Sequence, residues 1–341
     1  MPGLYDLTDA ELGAVLAGEP PFRLGQVRRA LGAGRPAPAM TDLPLGLRHR
    51  LVAAAPPALE EVARRESDGG DTVKWLWRLE GGARVETVFM AYPDRATVCV
   101  SSQAGCAMGC QFCATGQAGF TRHLSAGEII EQVAAARRHA GARGRRLTNV
   151  VFMGMGEPLA NFDRVWAAIT YLHRAMGLSA RHLTVSTVGL VPGIRRLAAA
   201  SLPVNLAVSL HAANDRLRDR LVPINRRWPL APLMEACADY RAAKGRRLSF
   251  EWAVIDGVND SDDDARQLAA LAAPLGAHVN LIPLNPTPGY PTRGAPLARV
   301  RQVAATLDAL GVNATVRANR GTDIDAACGQ LAAGFSSVSA D

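Results

Sequence analysis

Three cysteines lie within one short glycine-containing segment with the spacing C-x3-C-x2-C. They are Cys106, Cys110 and Cys113. Such spacing lets one loop wrap three thiolates around one metal centre. A closed zinc site needs four protein ligands, and only His123 lies near enough in the sequence to be a fourth, so zinc is an incomplete alternative. A four-iron cluster held by three cysteines leaves one iron open, whereas electron-transfer clusters generally use four. The spacing therefore favours an open [4Fe-4S] cluster.

A second segment of interest runs from Gly154 to Pro158, directly after the apolar run 150–153. Gly154 and Gly156 allow the backbone to approach a ligand closely, and Glu157 offers an acceptor for an ammonium group. An ordinary turn is the alternative interpretation.

Polar residues also follow later apolar runs, where the ends of parallel strands can bring side chains together on one ligand. They are Ser186, the tripeptide Ser209-Leu210-His211, and Asn285. Each polar residue is equally suited to capping a helix. His211 alone would more often be a structural hydrogen-bonding residue than a ligand contact.

The other three cysteines are separated from this group. Cys99 lies in an apolar strand-like segment, Cys328 lies near the C-terminus, and Cys237 lies in a predicted helix. Taken singly, each is most simply a small buried apolar residue. Cys237 fits no motif and is assigned to packing.

The elements that must position these residues alternate between strand and helix after residue 95, which predicts an α/β fold with a parallel sheet. A capping box at Ser125 and Glu128 marks the start of the first helix of this region. The polar motifs follow the strands. The candidate strands lie near 96–101, 148–153, 182–187, 204–210, 248–255, 278–284 and 313–318.

Two other regions precede this core, which we delimit as residues 95–335. Residues 1–60 show apolar residues at helical spacing and predict a small N-terminal helical domain. Residues 70–94 contain two alternating segments separated by Gly81-Gly82 and predict a β-hairpin linker.

Composition sets outer limits on function. The 341 residues are 48% apolar, enough for a substantial core, and the formal charge of +7 favours an anionic partner without requiring one. The sequence contains no signal-peptide pattern and no apolar run long enough to span a bilayer. We therefore expect a cytoplasmic protein without a membrane partner, in which thiols stay reduced.

The cysteine triad and its β/α setting resemble the radical S-adenosylmethionine (SAM) superfamily. The resemblance implies a partial (β/α) barrel core in which the open iron binds the amino and carboxylate groups of SAM, and electron transfer cleaves SAM to a deoxyadenosyl radical. It also implies a set of SAM-binding residues: Gly156, Glu157, Ser186, Ser209, Leu210, His211 and Asn285.

A narrower resemblance rests on residues 95–99, the triad, residues 154–158 and residues 323–331 together. This combination closely resembles the RlmN/Cfr family of RNA adenine methyltransferases over roughly residues 70 to 335. The resemblance implies that Cys328 accepts a methyl group from one SAM and that a radical from a second SAM activates that methyl. The resulting carbon radical then adds to adenine, whose electron-poor C2 cannot attack SAM directly.

The same resemblance implies that Cys99 resolves the protein-RNA adduct and forms a transient disulfide with Cys328. Glu86 corresponds to the family's proton acceptor, although a surface charge is the alternative. The implied substrates are 23S rRNA, at the peptidyl transferase centre, and tRNA, with an electron donor such as flavodoxin. Pro158 and residues 283–286 favour the C2-methylating RlmN group over C8-methylating Cfr-type resistance enzymes.

Two functions outside this class stay open: a radical SAM enzyme acting on a small molecule, and a noncatalytic iron-sulfur RNA-binding protein. Neither of them needs Cys328. Arginine clusters are candidate RNA contacts, with solvated helix faces as the alternative. They comprise Arg137, Arg138, Arg143, Arg145 and Arg146, and also Arg226, Arg227, Arg246 and Arg247.

Overall fold

The computed structural model describes residues 2–287, 289–317, 320–327 and 329–331. Cys328, the expected methyl carrier, lies outside the described residues. Its two neighbours, Ala327 and Gly329, are described.

Three helices form the N-terminal region and enclose a hydrophobic cluster of their own. Leu12, Leu31 and Leu51, one from each helix, are almost fully buried in this cluster. The helices therefore stabilise one another by burying apolar surface that the main core does not cover. They are α1 (Asp9–Val15), α2 (Phe22–Gly32) and α3 (Leu45–Ala54).

A ten-stranded sheet forms the centre of the molecule. Its strand order is β1-β2-β3-β4-β7-β8-β9-β10-β11-β12, in which the first four strands pair antiparallel and the run from β4 onward is parallel. β5 and β6 form a separate antiparallel pair. The strands are β1 (Glu60–Ser67), β2 (Thr72–Arg78), β3 (Arg84–Ala91), β4 (Ala96–Cys99), β5 (Gln103–Gly105), β6 (Phe120–His123), β7 (Leu147–Phe152), β8 (Leu183–Thr187), β9 (Asn205–Ser209), β10 (Leu248–Val254), β11 (His278–Pro283) and β12 (Ala314–Val316).

Helices connect the parallel strands, so the predicted α/β alternation is confirmed and all seven candidate strands are present. The predicted capping box is also formed, because Ser125 Oγ accepts from the Glu128 amide and Glu128 accepts from the Ser125 amide. No described helix has the length and apolar character needed to cross a membrane. The helices are α4 (Ala114–Gln117), α5 (Ala126–Ala142), α6 (Phe162–Arg174), α7 (Val191–Ala199), α8 (Asp215–Leu221), α9 (Leu230–Lys244), α10 (Asp262–Leu275) and α11 (Leu297–Ala309).

The chain after β12 returns to the opposite end of the sheet. Arg320 Nη1 donates to the carbonyl of Ala91 in β3 at 2.7 Å, and Ser67 in β1 donates to Asp323 at 2.8 Å. These bonds require the sheet to curl, since β12 and β1 are its two edges. The result is the expected partial barrel, with the C-terminal segment lying across its open side.

Three strands were not predicted, namely β1, β5 and β6. The predicted hairpin does form, with Gly81 and Gly82 at positive φ, but β1 pairs with its β2 strand and β3 pairs with β4. The hairpin is thus continuous with the main sheet. The division into three domains stays a prediction.

Candidate active site

The β5-β6 pair closes the loop that carries the three cysteines. The amide of Cys106 donates to the carbonyl of Gly119 at 2.7 Å. Gly105 has φ +75°, and a Cβ there would lie 1.9 Å from the Gly119 oxygen, so only glycine fits. Cys113 is the N-cap of α4. The base of the loop is therefore fixed on both sides, and the three thiols line one pocket, which we call the cysteine pocket.

Burial makes two of these thiols, Cys106 and Cys110, difficult to ionise. It raises the pKa of Cys106 to about 11 and raises the pKa of Cys110 well above its ordinary value, and the neighbouring thiols add to both shifts. Thiolates in such a setting need a bound cation to balance their charge, because metal ligands must be deprotonated. The donor set therefore fits an iron-sulfur cluster.

The zinc alternative depended on His123 as a fourth ligand. His123 Nδ1 lies 3.0 Å from Gln103 Nε2, and the side chain does not line the cysteine pocket. Among the described residues, no three Cys, His, Asp or Glu side chains are arranged to hold a single metal ion. A cluster does not require such convergence, since each thiolate binds a different iron. The geometry gives the zinc alternative no support.

Most of the predicted SAM residues come together with the cysteines. They line the cysteine pocket from the C-terminal ends of successive parallel strands: Gly156, Glu157, Ser186, Ser209, His211 and Asn285. Leu210 does not. Its side chain is fully buried, its amide donates to the carbonyl of Glu251 at 3.0 Å, and its own carbonyl accepts from Arg218 at 3.1 Å.

Glu157 connects two of the strand-end loops. Its Oε1 accepts from the Leu159 amide at 3.0 Å and its Oε2 accepts from the Val188 amide at 2.9 Å. Burial raises the pKa of Glu157 to about 7, although these backbone bonds favour the charged form. Gly156 has φ +102°, and a Cβ there would lie 2.5 Å from the Gln103 side chain. The segment is thus a tightly packed ligand-facing turn.

His211 is held as a neutral ring. It has φ +59°, and its Nδ1 accepts from the Ala253 amide at 2.9 Å, which leaves the proton on Nε2. Burial lowers the pKa of His211 to about 3, and the charge of Arg218 contributes.

This burial predicts a specific pH dependence. In the unfolded chain His211 is protonated below about pH 6.5, whereas in the folded protein it stays neutral down to about pH 3. Protonation therefore favours the unfolded chain, and the free energy of unfolding falls as the pH decreases below about 6.5. The His211→Asn variant tolerates the positive φ and does not titrate. Between pH 6.5 and 5 we expect the wild type to lose about 2 kcal/mol more unfolding free energy than the variant in anaerobic urea titrations. Parallel pH profiles would contradict this assignment.

Arg218 organises the strand-end loops from behind the pocket. Its guanidinium is fully buried and donates to the carbonyls of Leu210, Val188 and Ser209 and to Asn225 Oδ1 at 2.8 Å. Burial lowers the pKa of Arg218 to about 10, so the group stays cationic at neutral pH. No local sequence signal indicates this role, since Arg218 lies in a charged run typical of a solvated helix.

Removing Arg218 should therefore cost stability as well as SAM affinity. We expect Arg218→Met to lower the free energy of unfolding by about 3 kcal/mol, because buried carbonyls and an amide lose their donor. Arg216→Met, on the exposed side of the same helix, is the matched control and should change it by less than about 0.5 kcal/mol. Urea denaturation and SAM binding measure both effects, and equal stability of the two variants would rule out this role.

A second pocket, the adjoining pocket, shares a wall with the cysteine pocket. Cys113, Gly154 and Gly329 line both of them. The adjoining pocket also contains Cys99, at the C-terminal end of β4, and Ala327. Cys99 and the residues flanking position 328 therefore face the same space.

The segment around position 328 is fixed on both sides. Before it, Lys74 Nζ donates to the Asp325 carbonyl at 3.0 Å. After it, the Gly329 carbonyl accepts from the Ala114 amide at 2.8 Å, and the Leu331 carbonyl accepts from Thr115 at 2.9 Å. Because α4 directly follows Cys113, these bonds tie the segment to the cysteine loop.

Glu86 is not a surface charge. It is 1% exposed, and its Oε1 lies 3.5 Å from Nζ of Lys74, which is itself fully buried. Burial lowers the pKa of Lys74, and the charge of Glu86 opposes that shift. Glu86 lines neither the cysteine pocket nor the adjoining pocket. It contacts the Cys328 segment through Lys74.

The first arginine cluster is largely engaged in contacts within the chain. Arg137 donates to the carbonyls of Gly32 and Met176, and Arg138 donates to the Gly34 carbonyl. The bonds to Gly32 and Gly34 attach the N-terminal region to α5. Arg143 and Arg145 likewise donate to main-chain carbonyls, of Gly70 and Tyr92. The bonded geometry favours a structural role for these four.

Sequence reasoning missed Glu251, which lines both pockets. Burial raises the pKa of Glu251, while hydrogen bonds from Asn280 and Ser249 and the charge of Arg317 oppose the rise. The available signal was an acidic residue within the largely apolar candidate strand 248–255.

The fold and the three-cysteine site define a radical SAM protein, and the model of the Radical SAM superfamily matches residues 100–269. The curated "Probable dual-specificity RNA methyltransferase RlmN" of Parafrankia sp. (strain EAN1pec) is 53% identical, over 97% of this chain and 91% of that protein. The protein of that name from Roseiflexus sp. (strain RS-1) is 48% identical, over 97% and 96%. This chain belongs to the RlmN family of radical SAM RNA methyltransferases.

A solved structure agrees with this membership. The radical SAM methyltransferase from Sphaerobacter thermophilus superimposes with a TM-score of 0.93 at 50% sequence identity, covering 98% of this chain and 100% of that one. The expected fold class and family resemblance are therefore confirmed. SAM and a [4Fe-4S] cluster are the cofactors that the family implies.

Proposed function

We propose that this protein methylates C2 of an adenine in 23S rRNA at the peptidyl transferase centre, and an adenine of tRNA, with Cys328 as the methyl carrier. One observation carries the proposal: Cys99, Ala327 and Gly329 line a single pocket that shares a wall with the cysteine pocket. A carrier thiol and a resolving thiol must both reach the same base. The words "dual-specificity" in the relatives' names support action on two RNAs.

In this proposal Cys106, Cys110 and Cys113 bind the cluster, and the SAM residues that line the cysteine pocket hold SAM against it. Leu210 contributes through its main chain. When bound, the reduced cluster and SAM supply a radical that abstracts hydrogen. Two SAM molecules are consumed per turnover, one as methyl donor and one as radical source.

The protein's own groups then carry the methyl group. The Cys328 thiolate attacks the methyl of the first SAM, a C–S bond forms, and S-adenosylhomocysteine leaves. After hydrogen abstraction, the methylene carbon bonds to C2 of the base. With the cluster bound to take up one electron, the adduct would lose its C2 proton to Cys99, and Glu86 would be the final proton acceptor.

Cys99 also releases the product. Its thiolate attacks the Cys328 sulfur, the C–S bond breaks and a disulfide forms. The electron pair of the broken bond stays on carbon, which takes up a proton and becomes the methyl group. A flavodoxin-type donor would supply the electrons that reduce the cluster and disulfide, and this need for reductant suits the cytoplasm.

Mass spectrometry of nucleosides tests the proposal. The cluster-loaded protein is incubated anaerobically with SAM, a reductant and either tRNA or a 23S rRNA fragment, and the RNA is then digested. We expect 2-methyladenosine from both RNAs. Detection of 8-methyladenosine instead would indicate a Cfr-type enzyme, and 5′-deoxyadenosine without any methylated nucleoside would contradict RNA methylation.

A further inference from the structure

Glu251 lies at the boundary between the two pockets. It occupies the middle of β10, is 8% exposed, and lines the cysteine pocket as well as the adjoining pocket. A carboxyl group this deeply buried normally has all its hydrogen-bonding capacity used within the protein. The two carboxylate oxygens of Glu251 differ in their hydrogen bonds.

One oxygen of Glu251 is anchored and the other is available. Oε1 accepts from Ser249 Oγ at 3.0 Å and from Asn280 Nδ2 at 2.8 Å. Within the described residues, no hydrogen bond reaches Oε2. Ser249 is on the same strand, and Asn280 is directly opposite Glu251 on β11. Rigid strands thus hold a carboxylate with one oxygen unpaired beside the pockets.

The composition of the adjoining pocket indicates what Oε2 faces. Much of its wall is apolar, including Val88, Val151 and Ile282, which suits a flat aromatic base. The strand-end residues proposed for SAM, such as Ser186 and Asn285, do not line this pocket. Glu251 supplies the only carboxylate among its described lining residues. It is therefore the acceptor best placed for a hydrogen-bond donor on a base.

We infer that Glu251 determines substrate specificity by accepting a hydrogen bond at Oε2 from the exocyclic amino group of the target adenine. This inference rests on the proposed function, since it identifies how the base is recognised in that reaction. The amino group is on C6, and N1 separates C6 from C2, so the two groups point in different directions and Glu251 can hold the amino group while C2 faces Cys99. Hypoxanthine has a carbonyl where adenine has the amino group, and a carboxylate acceptor repels it.

Glu251→Gln provides a sharp test because it keeps an Oε1 acceptor for Ser249 and Asn280 while offering an amide donor in place of Oε2. The substrates are two synthetic RNA hairpins with adenosine or inosine at the target position. We expect kcat/KM for the adenosine RNA to fall at least ~10-fold, and the adenosine-to-inosine preference to shift toward inosine by ~100-fold. Methylation of Cys328 and SAM binding should stay at wild-type levels.

Ser249→Ala is the matched control, because it removes one hydrogen bond to Oε1 and leaves Oε2 in place. It should keep the wild-type preference for adenosine. An unchanged preference in Glu251→Gln would overturn the inference, and so would loss of SAM binding or of Cys328 methylation in that variant, which would assign Glu251 to the cofactor. Failure of the wild type to methylate either RNA would contradict the proposed function instead.

Discussion

Replacing Cys328 by Ala is expected to abolish RNA methylation, lowering the rate by at least ~1000-fold, while cluster absorbance and SAM binding stay intact. The proposed chemistry requires a sulfur at this position because C2 of adenine is too electron-poor to take a methyl group from SAM directly. The cysteine loop and the SAM residues do not depend on this thiol. Binding and catalysis should therefore separate in this variant.

The matched control for this experiment is Cys237→Ala. Cys237 is fully buried in α9, and burial raises its pKa to about 12, so it is an inert packing residue as expected. This variant should methylate RNA at a rate close to that of the wild type. Normal turnover by Cys328→Ala would reject the carrier mechanism.

The second large effect is expected at Cys99. Without its thiol, the bond between the protein and the methylene carbon cannot be resolved, so Cys99→Ala should accumulate protein covalently linked to RNA. We expect a shifted band on a denaturing gel. The yield of linked RNA should approach one per protein, with less than about one released methylated product per enzyme. Cys99 is half-buried in the adjoining pocket, and Cys113, which also lines that pocket, is assigned to the cluster and so would not replace it.

Two double variants make this result specific. Combining Cys99→Ala with Cys328→Ala should remove the band, because the carrier sulfur that forms the bond is gone. Combining Cys99→Ala with Cys237→Ala should leave it unchanged. Absence of the band in Cys99→Ala alone, with cluster and SAM both bound, would count against the role of Cys99.

Much of the active-site wall could be predicted from local sequence because it follows from the ends of parallel strands. Glycine-rich turns and polar residues after apolar runs lie on one edge of the sheet, and this is where Gly156, Ser186 and Asn285 line one pocket. The spacing of the three cysteines could likewise be seen within one short segment of the sequence. To predict these features it is enough to know the order of the strands.

What could not be predicted depends on the curl of the sheet. Lys74 and Glu86 alternate with apolar residues and look like exposed positions of a hairpin, but the C-terminal segment covers that face and buries both. Glu251 and Cys99 line the adjoining pocket together, although three strands lie between β10 and β4 in the curled sheet. These contacts join residues more than 100 positions apart, so no local pattern indicates them.

The arginines show that predictions from charge have the same limit, because packing is not visible in the local sequence. A run of basic residues at 137–146 indicates an anionic partner, yet four of its side chains donate to main-chain carbonyls. Arg218, in a run that looks solvated, is fully buried. Sequence gives the charge of a helix, whereas packing decides which charges remain at the surface.

The role of Cys328 as methyl carrier can be tested by following the methyl group itself. Protein first loaded with a trideuterated methyl on Cys328 is separated from labelled SAM and then given RNA with unlabelled SAM for one turnover. We expect the methyl in the RNA to retain deuterium and 5′-deoxyadenosine to gain one deuterium atom. An unlabelled methyl on the RNA, with the label still on the protein, would contradict the claim that Cys328 carries the methyl group.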